Sequence, residues 1–258
     1  MNNIFAVSGI VIKELYRRKD FYVLFILTVL LCLIMGSVRI FNDGRIARYL
    51  KEICLLLVWV SSLLIAITTA ARQIPVEREQ RTLLPLLAKP LSRAELILGK
   101  FLGCWLACGL VLLCFYAFFG VLAGSREQYW PVLNYAQAAG LHWVMLGIVV
   151  ALTLLGSLVF AAPSSNATIC FVSVMGILLL GRHLGQLAVG LPEPRRSLTY
   201  GAYYALPHLE LFDVRDLIIH NWPPINWLVC VQAVAYAAAY TTVFLIAACL
   251  IFRRKPVN

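Results

Sequence analysis

Charge is what this sequence has least of. Asp, Glu, Lys and Arg make up 13% of its 258 residues, about half the share usual in a soluble domain. From position 128 to 181 none of the four occurs. Carriers driven by ions usually keep carboxylates or histidine relays in mid-membrane, and the apolar segments here hold almost no ionisable residue. His142 and His183 fall near expected segment ends, which counts against that class. A phosphate-binding loop is lacking as well. Gly99-Lys100 has Ala94 where the first glycine belongs and Phe101 where Ser or Thr would bind magnesium. The chain is therefore not expected to hydrolyse ATP. HExxH and GxSxG do not occur, and no catalytic, cofactor-binding or metal-binding residue is assigned. No A-x-A site follows the first apolar run, so a cleavable leader is not expected.

What is abundant is hydrocarbon. The composition is 62% hydrophobic with a mean hydropathy of +0.85, which indicates an integral membrane protein forming a single domain over 1–258. The eight cysteines all lie in apolar segments and read as small buried hydrophobes, not a disulfide framework. Cys104 and Cys108 share a helix face, but no His or carboxylate is interleaved to complete a metal set. The net charge of +10 could suggest nucleic acid. The basic residues sit at the ends of apolar runs, however, where lipid headgroups and topology account for them, and no nucleic-acid partner is expected.

The expected fold is an all-α polytopic membrane protein with six transmembrane helices near 21–38, 53–71, 101–123, 141–161, 167–181 and 227–252. The fourth and fifth come from one uncharged stretch too long for a single crossing, with Ala162-Pro163-Ser164-Ser165-Asn166 as the turn. Arg182 truncates the fifth unless it reaches the headgroups. Over 1–20, Ile4, Val7, Val11 and Leu15 recur at helical spacing opposite Lys13, Glu14, Arg17 and Arg18. This predicts an amphipathic helix at the interface. With both termini on the cytoplasmic side, 13 of the 22 lysines and arginines lie inside and nine outside, a modest positive-inside bias. The outer segment 189–226, rich in Tyr, Trp and Pro, is expected to lie at the outer interface, anchored by its aromatics.

Between the second and third spans, 72–100 packs Glu77, Arg78, Glu79, Arg81, Lys89, Arg93 and Glu95 into a short stretch. Against a handful of leucines these charges leave an insertion deficit on the order of 15–20 kcal/mol, so the stretch stays in water. Pro75 suits a first helical position, and Pro85 predicts a kink. Ser92 and Glu95 form an S-x-x-E capping box, with Leu91 able to staple onto Leu96. On these features alone an ordinary cytoplasmic loop with a capped helix start fits equally well. Asp43-Gly44-Arg45-Ile46-Ala47-Arg48 matches DGxxAR, a fragment found in CDP-alcohol phosphotransferases, enzymes acting on lipid. Ile40, Ser61 and Ile65 stand where that family needs aspartates, and Asp43-Gly44 fits an outer turn better.

Glu77, Glu79, Thr82, Leu83, Leu86, Leu87, Pro90, Ser92, Arg93, Glu95, Gly99 and Lys100 spell E-x-E-x-x-T-L-x-x-L-L-x-x-P-x-S-R-x-E-x-x-x-G-K. This pattern resembles the coupling region of the type-2 ATP-binding-cassette (ABC) exporter permeases, with Arg81 where family members usually carry Gly. Lys13-Glu14-Leu15 with Arg17 and Arg18 resembles the family's N-terminal interfacial helix. The resemblance implies a permease subunit that pairs with a second permease chain, as a homodimer, above two separate ABC ATPase subunits, which bind the ATP and Mg. It implies a bacterial cytoplasmic (inner) membrane location and a coupling interface of Glu77, Glu79, Arg81, Thr82, Leu83, Leu84, Leu86 and Leu87. In that interface the charges pair with the ATPase and the leucines anchor, while Ser92, Arg93 and Glu95 cap the helix leading into the third span. Spans nearly free of charge suit a lipid-like, amphipathic or peptide cargo. A membrane-embedded enzyme acting on lipid and an ion-coupled carrier are the alternatives.

Overall fold

The computed structural model describes residues 2–17, 19–37, 44–80 and 92–254. Its long helices are α2 (Lys19–Ser37), α3 (Gly44–Arg72), α5 (Arg93–Glu127), α6 (Val132–Val159), α7 (Pro163–Gly190) and α10 (Trp227–Arg254). Shorter ones are α1 (Asn2–Tyr16), α4 (Pro75–Glu79), α8 (Arg195–Ala205) and α9 (Asp216–Ile219). Among the described residues, five stretches are long and apolar enough to cross a membrane: Lys51–Glu79, Arg93–Ser125, Val132–Val159, Pro163–Gly181 and Trp227–Arg254. The apolar part of α2, Phe25–Ile34, is shorter. α7 continues past Arg182 to Gly190, so the arginine does not end the helix.

α6 is the centre of the bundle, packed against α10, α5 and α3. Its inner face is mostly aliphatic, with Met145, Leu146, Val149, Val150 and Leu154 out of reach of solvent, and it also buries Asn134, Gln137, His142, Thr153 and Ser157. Such helices have no hydrophobic force between them inside lipid, so close packing and polar contacts must supply the affinity. Both are present between α5 and α6. Trp105 Nε1 donates to the Trp143 carbonyl at 2.9 Å, and Trp143 Nε1 donates to the Trp105 carbonyl at 3.0 Å. The two indoles stack 4.6 Å apart. Each ring covers a glycine one turn beyond the other tryptophan, Gly109 under Trp143 and Gly147 under Trp105, and a β-carbon at Gly109 would collide with the indole.

Two ion pairs join α3 and α4 to α5, one near each end. Lys51 Nζ meets Glu127 Oε2 at 2.6 Å, and Lys100 Nζ meets Glu77 Oε1 at 2.7 Å. Along α5, Lys100 and Glu127 are about 40 Å apart at 1.5 Å per residue, close to the full thickness of a bilayer with its headgroups. These pairs mark the two faces of the molecule.

The amphipathic helix α1 has its buried side on protein. Val7 and Val11 seat on Gly99 and Gly103 of α5, where an added β-carbon would stand 2.7 Å from each valine's Cβ. Leu15 is buried with them, while Phe5 and Ile10 remain exposed. Of the eight cysteines, six are buried, Cys249 is half-buried and Cys114 is exposed.

Candidate functional site

The polar stretch after α3 is fastened at both of its described ends. Pro75 begins α4 in the first-turn position expected of it, following the buried Ile74. The ammonium of Lys100, in a residue only 2% exposed, donates to the Gln73 carbonyl at 2.7 Å and to Gln73 Oε1 at 3.4 Å, besides its bridge to Glu77. Three N–H groups thus meet three oxygens, the arrangement a buried lysine requires. The Gln73 carbonyl lies just past the C-terminus of α3, where a cation is also favoured by the helix dipole.

At the other end, Ser92 and Glu95 form both halves of the capping box. Ser92 Oγ accepts from Glu95 N–H at 3.2 Å, and the Ser92 N–H donates to Glu95 Oε2 at 2.8 Å. Arg93 caps a different helix: its Nη1 donates to the carbonyls of Phe252 (2.7 Å) and Arg253 (3.1 Å) at the end of α10. Its guanidinium lies 5.5 Å from the Phe252 ring centre. Of the docking residues named from the sequence, Glu77 is half-buried on Lys100, whereas Glu79 is exposed. Arg81, Thr82, Leu83, Leu84, Leu86 and Leu87 lie outside the described residues, as do Pro85 and Leu91.

On the opposite face the segment 189–226 forms short helices, exposed over most of its length, and one part of it is inserted into the bundle. Leu209, Phe212, Leu217, Ile218 and Ile219 are buried. Two polar side chains of α6 hold its backbone: Asn134 Nδ2 donates to the Trp222 carbonyl at 2.9 Å. Gln137 both donates to the Ile225 carbonyl (2.8 Å) and accepts its N–H (2.9 Å). Arg215 grips Asp213 with two bonds of 2.7 Å. Burial opposes ionisation of this carboxyl, but the hydrogen bonds and charge of Arg215 outweigh it and hold Asp213 below its ordinary pKa. The same guanidinium lies over the Trp59 ring at 5.6 Å, about two turns along α3 from Lys51.

Below Trp59 is a polar cluster that sequence reasoning misplaced. His142 is 2% exposed and lies level with Ser62, which stands eleven residues from both Lys51 and Gln73, midway between the two faces. Ser62 Oγ donates to the Trp59 carbonyl at 2.9 Å, so it accepts from His142 Nε2 at 3.0 Å. His142 Nδ1 is then left to accept the Tyr116 hydroxyl at 3.4 Å. The chain Tyr116–His142–Ser62–Trp59 is satisfied by a neutral imidazole protonated on Nε2. It ties α5, α6 and α3 together at mid-depth, and Thr28 extends the tie to α2 through Ser61 at 2.7 Å. A histidine eleven residues into a helix that begins at Val132, rather than near Leu141, is the signal that would have placed it.

Among the described residues, no three His, Cys, Asp or Glu side chains gather into a metal site. A family model described as "ABC-2 family transporter protein" matches residues 53–257. No curated protein matches the chain.

Proposed function

The chain belongs to the ABC-2 family of membrane transporter proteins, and from that premise we propose that it is the permease subunit of an ATP-driven exporter. In this reading it crosses the bacterial cytoplasmic membrane six times, α2 included, with both termini in the cytoplasm. Two copies stand on two separate ATPase subunits, which bind ATP and Mg and do the hydrolysis. The face carrying Glu77 and Lys100 is cytoplasmic, and the stretch 72–100 docks on the ATPase.

One observation carries the reading. The water-exposed turn of α4 is not a slack loop but is bolted through Glu77 and Lys100 to α5, a continuous helix of 35 residues, about 52 Å long. A push on α4 therefore has a rigid route across the membrane. Glu79, two residues past Glu77 and so about half a turn round α4 from the bolt, is exposed and free to meet a basic side chain of the ATPase.

The test is affinity purification of the chain co-expressed with its ATPase subunit. Glu79→Lys is expected to lower ATPase recovery roughly tenfold, the effect of about 1.4 kcal/mol, and to abolish ATP-driven transport. Normal recovery with normal transport would overturn the docking role. His142 at mid-depth is the observation that favours an ion-coupled carrier instead, and transport that persists in vesicles free of any ATPase would establish that reading over ours.

A further inference from the structure

Where α5 and α6 meet on the outer surface of the bundle, a groove of about 850 Å³ runs between them. Gly109, Ala117 and Gly120 of α5 face Ala136, Ala139 and Gly140 of α6 across it. Trp143 covers Gly109, and Tyr135 lies 3.7 Å from where a β-carbon of Gly120 would be. Gly140 is different: a β-carbon there would meet no atom within 4 Å. Glycine inside a helix is destabilising relative to alanine, and nothing among the described residues requires it at this position. Open space over a helical glycine recurs at Gly176, but at Gly140 it opens into the groove and deepens it.

Position says which molecule. One end of the groove is lined by Trp130 and Val132, the other by Leu106 and Ile12 of α1. From Leu106 to Val121 on α5 is about 22 Å, enough to cross the hydrocarbon of one leaflet, about 15 Å. Trp130, 55% exposed, stands at the mouth near the Lys51–Glu127 face, the level at which interfacial tryptophans sit. A second copy of the chain has a more suitable surface elsewhere. α7 and α10 are the least buried of the five spans and present ridges of Val172, Leu179, Val231 and Val243, not a trough.

We propose that this groove binds an acyl chain of a membrane phospholipid from the leaflet on the Lys51 side, its headgroup level with Trp130. The lipid touches Tyr116 and so bears on the His142 cluster, which links three helices at mid-depth. The inference goes beyond the transport reading and stands whatever the chain carries.

Native mass spectrometry of the full chain, released from membranes in mild detergent, counts bound phospholipid per chain. The wild type is expected to retain one. Gly140→Phe, whose β-carbon has no atom within 4 Å and whose ring occupies the groove, is expected to lower retention at least about tenfold, since excluding two methylenes suffices for that. Gly176→Phe, on α7 in equally open space, is expected to leave it unchanged. A wild type that retains no lipid, or equal retention in Gly140→Phe, would overturn the proposal. So would loss of a chain-to-chain dimer in Gly140→Phe with lipid unaltered, which would assign the groove to a second copy.

Discussion

A lysine 2% exposed keeps its charge only if protein oxygens replace the water it gave up, and Lys100 has three of them. Lys100→Met takes the ammonium from Glu77 and the Gln73 carbonyl together, and removing one partner of a buried pair is costly. We expect a loss of about 3 kcal/mol, read as a lowered unfolding midpoint in detergent. No recovery is expected in the exchange Lys100→Glu with Glu77→Lys, because a carboxylate at position 100 would face the Gln73 carbonyl with no proton to donate. The pattern G-K was visible in the sequence, but nothing in it distinguished a lysine at the headgroups from one buried under α4. Glu77 and Glu79 looked equivalent there too, and only burial separates the one spent within the chain from the one left exposed. Asp213 supports a pH prediction of definite sign. Its folded pKa is held below the unfolded value of about 3.9 by Arg215. The pair's contribution is therefore complete above about pH 4 and is lost as pH falls further through the lowered pKa. Thermal unfolding should accordingly show no Asp213-dependent change from pH 5 to 8, and Asp213→Asn should flatten the decline below pH 4.

At the scale of helices, the local chemistry of caps and breaks was readable in advance. Pro75 begins α4 and the Ser92–Glu95 box begins α5 because those residues satisfy backbone groups in their own neighbourhood. Ser92→Ala is expected to cost about 1 kcal/mol, seen as faster amide exchange over the first turn of α5. Less readable was which helix each side would meet. The stripe Val7, Val11, Leu15 is equally suited to lipid and to another helix, and its partner is Gly99 and Gly103, whose lack of side chains is a signal only once the two helices are set side by side. Gly103→Val places a β-carbon 2.7 Å from Val11 and 2.9 Å from the Ser8 carbonyl. Overpacking of this kind costs roughly 1–3 kcal/mol, and we expect it to release α1, detected as new protease cleavage between α1 and α2 with α5 still protected. How the segment 189–226 meets the bundle was hidden for a related reason. Its prolines and aromatics describe the exposed stretch around α8, whereas the part held at Trp222 and Ile225 was marked only by Asn134 and Gln137 on α6.

At the scale of the whole molecule, long apolar runs make the helical membrane architecture plain, because only helices satisfy every backbone group in lipid without closing a sheet. The arrangement of those helices was not plain, since residues such as Leu110 and Leu146 look alike in sequence while one is exposed and the other buried. The mid-depth tie among α3, α5 and α6 gives a further test. His142→Phe leaves Tyr116 and Ser62 each short of a partner. It should cost about 1–3 kcal/mol in overall unfolding while leaving ATPase recovery on the purified chain at the wild-type level, which separates holding the bundle together from docking.

The two lysine–glutamate pairs have opposite polarity, the lysine on α3 at one face and on α5 at the other. Shifting these antiparallel partners by a single residue, about 1.5 Å, would stretch both bridges at once. Sliding of α5 against α3 and α4 is thereby opposed at both faces, while rotation of the set as a unit is not. Like a beam riveted at each end, α5 with α3 and α4 answers a load at its foot with both bridges intact only by tilting as one piece.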